Sequence, residues 1–281
     1  MHIDVLADGL GFTEGPVWLG DGRVALTSIS HGCVYIVDPS GGVERITTGG
    51  GPNGLAADAD GTLYVAQNGG IFGASGPAEP GVQVIENSTA TYLVEGLDAP
   101  NDLVFGPDGR LWITDTGAEI DYTNPAGGQP GKVWAYEFNL GDLELMTATG
   151  PVFLNGLGFS RDGKTLLVTA TLSSRLLAYD VAPAGSSSWT DARLVHTFDN
   201  GWPDGMVVSA LGEAWVALTA ADRIDVIDAR GRRTASIPLP AGSLPTNVCV
   251  GGDRCDELFV TAARSESLLR LRLEAADPAL A

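Results

Sequence analysis

The chain has 281 residues, 44% of them hydrophobic and 18% charged, and a formal net charge of −19 at pH 7. That balance supports a substantial core and argues against a disordered chain. The acidity disfavours binding to nucleic-acid phosphates or anionic membranes and suits a cation site only weakly, since most of these carboxylates must be solubilising surface groups.

From the N-terminus, Met1 to Gly9 lacks a basic start followed by an apolar stretch, and no apolar run approaches the roughly 18 residues that span a bilayer. A cytoplasmic location is the expectation. Ile3 to Ala7 reads as a strand without partners nearby in the sequence. Beyond it the chain repeats one pattern: a polar residue, then seven residues later a turn position. The copies are Glu14-Gly-Pro before Asp21-Gly22, Asn53-Gly-Leu before Asp60-Gly61, Asn101-Asp-Leu before Asp108-Gly109, Asn155-Gly-Leu before Asp162-Gly163, and Asp204-Gly-Met before Leu211-Gly212. Asn247-Val-Cys, with about one extra residue before Leu258, makes a sixth.

Each turn leads into a short strand: Thr62 to Ala66, Leu111 to Thr114, Leu166 to Thr169, Ala214 to Leu218 and Leu258 to Thr261. Successive first positions are 39, 48, 54, 49 and 43 residues apart, close to the roughly 40 to 50 of a four-stranded propeller blade. The chain therefore reads as all-β, a single six-bladed β-propeller over residues 1–281. Ile3 to Ala7 is expected to close the ring on the last blade's strands, Glu257 to Ala262 and Leu268 to Leu273, removing an exposed edge. Two Gly- and Pro-rich insertions, Gly69 to Gly81 and Gly117 to Gly131, replace short connections. They read as functional lids or as variable surface loops.

In a propeller, equivalent residues surround the axis, and the position just before the innermost strand is expected at one mouth of the channel. Glu14, Asn53, Asn101, Asn155, Asp204 and Asn247 would then face one another, all able to present oxygen. Such a ring suits a hard cation such as Ca²⁺, with two carboxylates to neutralise it, and also admits Mg²⁺, Mn²⁺, Fe²⁺ or Zn²⁺. Asn and Asp also make turns, but Glu14 is a poor turn residue and the Asp-Gly pairs already supply turn chemistry. Zinc is the weaker fit, because His2, His31 and His196 fall outside the ring, as do Cys33, Cys249 and Cys255. Gly49-Gly-Gly-Pro-Asn-Gly54 matches GxGxxG but precedes a strand rather than a helix, and no GxSxG elbow occurs.

Phe12-Thr-Glu-Gly-Pro-Val-Trp18, Pro100-Asn-Asp-Leu, Asp108-Gly-Arg-Leu-Trp-Ile-Thr-Asp115, Asn155-Gly-Leu-Gly-Phe159, Pro203-Asp-Gly-Met206 and Pro245-Thr-Asn-Val-Cys-Val-Gly-Gly252 together resemble the regucalcin, gluconolactonase and luciferin-regenerating enzyme family of calcium-dependent propellers. The resemblance covers nearly the whole chain. It implies metal ligands at Glu14, Asn155 and Asp204, and Asn101 as a fourth ligand or a substrate contact. It also implies Asp204 as general base or nucleophile in opening a small lactone. Asn53 and Glu119 are further candidate substrate contacts, and Trp202 reads as a residue that stacks on a sugar ring, lines an apolar pocket or packs between blades. Regucalcin-type members carry a basic residue two positions before Asn101, where this chain has Ala99, a departure that weighs against an anionic sugar lactone. The alternatives are phosphotriester hydrolysis, which related propellers perform with an oxygen site like Glu14, Asn101, Asn155 and Asp204, and a silent calcium- or ligand-binding propeller. The expected partner is a small-molecule substrate, with no protein partner implied.

Overall fold

A computed structural model describes residues 2–117, 120, 124, 128–181 and 192–273, and every regular element in them is a β-strand. The 24 strands form six antiparallel sheets of four. The innermost strands are Thr13–Trp18, Pro52–Ala57, Pro100–Phe105, Leu154–Phe159, Trp202–Val208 and Pro245–Gly251, one for each of blades one to six. Each touches the next, and the sixth touches the first, so the six sheets close into a β-propeller.

The closure follows the expected route with a narrower pairing. His2–Ala7 pairs antiparallel with Ser267–Arg272 alone, in the register Ile3 to Leu271 and Val5 to Leu269. Glu257–Ala262 lies one strand further in. The first and last strands thus share blade six, with His2–Ala7 as its outermost strand.

Because neighbouring blades cover both faces of each sheet, second strands are buried throughout rather than alternating: Leu111–Asp115 and Ala214–Thr219 expose no residue. Between blades three and four, Trp112 packs with Leu154, Leu166 and Leu177. Outermost strands face water, as the mostly exposed Val43–Thr47 and Arg233–Pro238 show. The Asp-Gly turns are tight connections in which Gly22, Gly61, Gly109 and Gly163 all take positive φ, as does Gly212 in the Leu211-Gly212 turn.

The ring residues do not precede the innermost strands, as the sequence suggested, but lie within their first three residues. At this point every innermost strand breaks register with its partner, between Glu14 and Val17, Pro52 and Leu55, Pro100 and Leu103, Leu154 and Leu157, Pro203 and Met206, and Pro245 and Asn247. A bulge bends the strand and re-aims a side chain. Six bulges at the same place turn six polar residues toward the axis.

Candidate active site

The bulges bring the innermost strands so close that most can carry only glycine after the ring residue. A Cβ on Gly156 would sit 2.7 Å from the Asp204 carbonyl oxygen and 2.7 Å from the Gly205 Cα. One on Gly205 would overlap the Asn247 amide at 2.0 Å. Hydroxyls from neighbouring second strands lock the same zone: Thr27 Oγ1 donates to the Asn53 carbonyl, Thr114 Oγ1 to that of Asn155 (2.6 Å), and Thr169 Oγ1 to that of Asp204 (2.7 Å). Adjacent blades are therefore joined at the backbone of the ring residues themselves.

Above this zone opens a cavity of about 400 Å³. Glu14, Asn53, Asn101, Asn155 and Asp204 line it, together with Phe12, Ile29, Ile71, Phe72, Phe153, Thr171, Trp202, Thr219 and Leu244. Five of the six expected ring residues thus converge on one cavity, with Trp202 half-exposed at its edge. The sixth, Asn247, does not line it. Its Nδ2 donates to Asp102 Oδ2 at 3.2 Å, and its amide also hydrogen-bonds Glu14. Asn247 and Asp102 come from blades three apart, so their contact crosses the axis. Glu119 lies outside the described residues.

Asp102 is a buried carboxylic acid that the repeat pattern did not single out. It occupies the place held by Gly15, Gly54, Gly156 and Gly205 in four other blades. A carboxylate at a position otherwise mostly glycine was the available signal. The wall residues Phe12, Ile29, Ile71, Phe72, Phe153 and Leu244 were also not anticipated. The histidines make their contacts elsewhere: His31 Nδ1 with the Tyr35 hydroxyl, His196 Nδ1 with the Gly231 carbonyl, and His2 with Asp4.

Burial makes the floor electrostatically strained. Loss of water raises Glu14 well above the usual carboxylate range, and Asp204 and Asp102 add repulsion. Asp204 is raised by the same desolvation, which the hydrogen bond from Asn155 opposes and the charge of Asp102 reinforces. Desolvation pushes Asp102 up to about 7, against hydrogen bonds from the Leu103 amide and Asn247. No lysine or arginine lines the cavity among the described residues. Asn53 Oδ1 is buried without a hydrogen-bond partner, and Asn155 Nδ2 is held by Thr171 Oγ1 at 3.1 Å, leaving Oδ1 as the oxygen that amide can offer.

Desolvated carboxyls with amide oxygens beside them and no cationic side chain form a donor set that fits a hard divalent cation. Glu14, Asn155 and Asp204, with Asn101 as a further oxygen, are the residues that could hold one. Among the described residues no three His, Cys, Asp or Glu side chains could ligate an ion by themselves, so amide oxygens would have to complete the set. A second cleft of about 540 Å³, lined by Ser160, Asp162, Leu211 and Asp228, lies at the hairpin ends of blades four and five and includes none of the ring residues.

The structure is thus a six-bladed propeller whose bulged inner strands converge on an acidic, amide-rich floor beneath one axial cavity. The chain belongs to the SMP-30/gluconolactonase/LRE-like family, whose sequence model matches residues 12–264. It is 25% identical over 259 residues to the pentonolactonase XacC of Haloferax volcanii, covering 89% of this chain and 81% of that one. It is 28% identical over 276 residues to regucalcin of Xenopus laevis, covering 92% and 85%. The solved structure of a gluconolactonase from Xanthomonas campestris superposes with a TM-score of 0.79 at 23% identity, over 97% of this chain and 89% of that one, a likeness of fold. Among the described residues no helix is long and apolar enough to cross a membrane.

Proposed function

We propose that this protein is a metal-dependent hydrolase that opens a small lactone at the axial cavity. The observation that carries the reading is the convergence of Glu14, Asn101, Asn155 and Asp204 on one cavity floor. Membership in a family whose relatives include a named pentonolactonase supports the reaction type. A divalent cation, most simply Ca²⁺, would supply charge to keep the floor carboxylates ionised and to polarise the lactone carbonyl.

The chain's own groups do the rest. Asn155, held by Thr171, and Glu14, held by the Gly15 amide (3.1 Å) and Asn247, are fixed before any ligand arrives, so little reorganisation remains. Asn101 orients the substrate. Asp204 accepts a proton as water oxygen bonds to the acyl carbon; the acyl–oxygen bond of the ring breaks, and the ring oxygen leaves as the product hydroxyl, taking a proton. The product is a hydroxy acid, which releases one proton near neutral pH.

The test is acid release from a panel of lactones, followed with a pH indicator, using metal-stripped protein before and after addition of Ca²⁺. Activity should appear on adding metal and be missing from Asp204→Asn. Turnover of organophosphates but of no lactone would move the assignment to phosphotriester hydrolysis. Bound Ca²⁺ with no turnover of either would leave a binding propeller.

A further inference from the structure

We propose that the axial cavity selects lactones bearing an alkyl or aryl substituent over polyhydroxylated sugar lactones. This rests on the lactonase reading and names its substrate class.

The cavity has two layers of opposite character. Its floor is the oxygen-rich set of carboxyls and amides; its wall is apolar. Two residues upstream of Glu14, Asn155 and Asp204 stand Phe12, Phe153 and Trp202, and three upstream of Asn247 stands Leu244, all lining the cavity. Two steps along an extended chain return to the same face about 6.6 Å away, which places Trp202, at the start of its strand, one layer above its ring residue, while Phe12 reaches the wall from the bend just before Thr13. Phe153 arrives differently, through a left-handed backbone at φ +65°, a conformation a bulky residue adopts only when its surroundings hold it there. In blade three the matching residue is Ala99, fully buried, with its amide bonded to Asp115 Oδ1 at 2.8 Å, and it adds nothing to the lining.

The insertion after Gln67 completes the wall. It brings in Ile71 and Phe72, and Phe72 stacks on Phe153 with ring centroids 5.2 Å apart and planes 8° from parallel. This loop is anchored from below, by the Ser75 amide on the Gly50 carbonyl (2.9 Å) and the Gly70 amide on Asn68 Oδ1 (2.7 Å). Phe12 and Trp202 remain 37% and 49% exposed, so large apolar surface stands open to a ligand at the mouth.

A sugar lactone would bring a hydroxyl on nearly every carbon into this wall. Among the described lining residues above the floor, the polar groups are the Trp202 indole N–H and the hydroxyls of Thr171 and Thr219, and both hydroxyls are engaged: Thr171 Oγ1 with the Pro203 carbonyl (2.8 Å), Thr219 Oγ1 with the Trp202 carbonyl (3.2 Å). Hydroxyls pressed against Phe72 and Phe153 would lose water without gaining partners. An alkyl chain or aromatic ring gains from the same surface.

The experiment compares two six-membered lactones, δ-nonanolactone and glucono-δ-lactone, on Ca²⁺-loaded protein, each corrected for spontaneous hydrolysis. The kcat/KM of the alkyl lactone should exceed that of the sugar lactone at least tenfold. Phe72→Ser should lower it severalfold, mainly through KM, and by a larger factor than it lowers that of the sugar lactone. Equal rates, or preference for the sugar lactone, would overturn the proposal while leaving the lactonase reading intact. If neither is turned over, the lactonase reading stands or falls with the wider panel, and the wall is judged by binding. The butyl-substituted δ-lactam, which is not hydrolysed, is titrated into metal-free protein and followed by the fluorescence that Trp202→Phe removes. Tighter binding than that of the unsubstituted lactam upholds apolar selection, and equal binding sinks it.

Discussion

The floor and the wall of the axial cavity are built by different means. The floor takes a residue from the same position in five of the blades and fixes it with a bulge, in four of them with a following glycine, and at Asn53, Asn155 and Asp204 with a hydroxyl from the preceding blade. The wall gathers side chains of unequal origin: Phe12 from a bend before a strand, Trp202 from a strand start, Phe153 from a left-handed corner, Phe72 from an insertion stacked across the cavity. The difference separates two tasks. Six-fold repetition can hold a polar cluster against its own repulsion, whereas a shape that discriminates among substrates requires the repeats to differ.

Breaking the floor at its chemical centre should have the largest effect. Asp204→Asn keeps the shape and removes the proton acceptor, so lactone hydrolysis should fall about 10³-fold, by a similar factor for every lactone. Acid-release kinetics together with an unchanged cooperative thermal melt would check it. A wall variant such as Phe72→Ser should instead reorder substrates. If Asp204→Asn merely reordered them, the division between the layers would fail.

Next comes the pH dependence of the metal-free floor. Asp102 has a pKa of about 7 in the folded protein, against about 3.9 for an unfolded aspartate. Between those values the unfolded chain is ionised while the folded one still holds its proton. The folded state therefore binds more protons, and stability falls as pH rises from about 4 to about 7, by up to about 4 kcal/mol. Glu14 and Asp204, also raised, act with the same sign. Thermal melts across this range should show the decline, Asp102→Asn should flatten it, and added Ca²⁺ should reduce it. A melt independent of pH would mean that the floor is not strained.

Gly156→Ala tests the close approach of the strands. The added methyl would lie 2.7 Å from the Asp204 carbonyl oxygen and from the Gly205 Cα, so blades four and five must separate. A loss of about 2–3 kcal/mol is expected by urea denaturation.

The contrast also explains what the sequence could and could not reveal. Six copies of a polar residue seven positions before a turn made the blades and the floor readable, because a repeat leaves the same mark each time. Asp102 escaped because its mark was a departure from glycine in one blade, visible only when the neighbouring position is compared as well. Trp202 was singled out beside its ring residue; Phe12 and Phe153 share its offset of two and could have been found by the same comparison. Leu244 is displaced by one residue. Phe72 could not have been found, since its place over Phe153 depends on the path of an insertion rather than on the repeat. The inter-blade role of Thr27, Thr114 and Thr169 was hidden by their ordinary appearance as strand residues with high β-propensity.

Those threonines support the smallest prediction. Thr169 Oγ1 is fully buried and donates to the carbonyls of Asp204 at 2.7 Å and Gly156 at 3.3 Å. Thr169→Val preserves shape but leaves the Asp204 carbonyl without this donor at the place where blades four and five meet. The expected cost is about 1–2 kcal/mol in urea denaturation, recovered in part by Thr169→Ser, which restores the hydroxyl but not the methyl. Because this bond fixes the backbone that carries Asp204, Thr169→Val should also lower kcat by a small factor with little change in the ranking of substrates. Full activity in a destabilised Thr169→Val would show that the hydroxyl joins the blades without positioning the base.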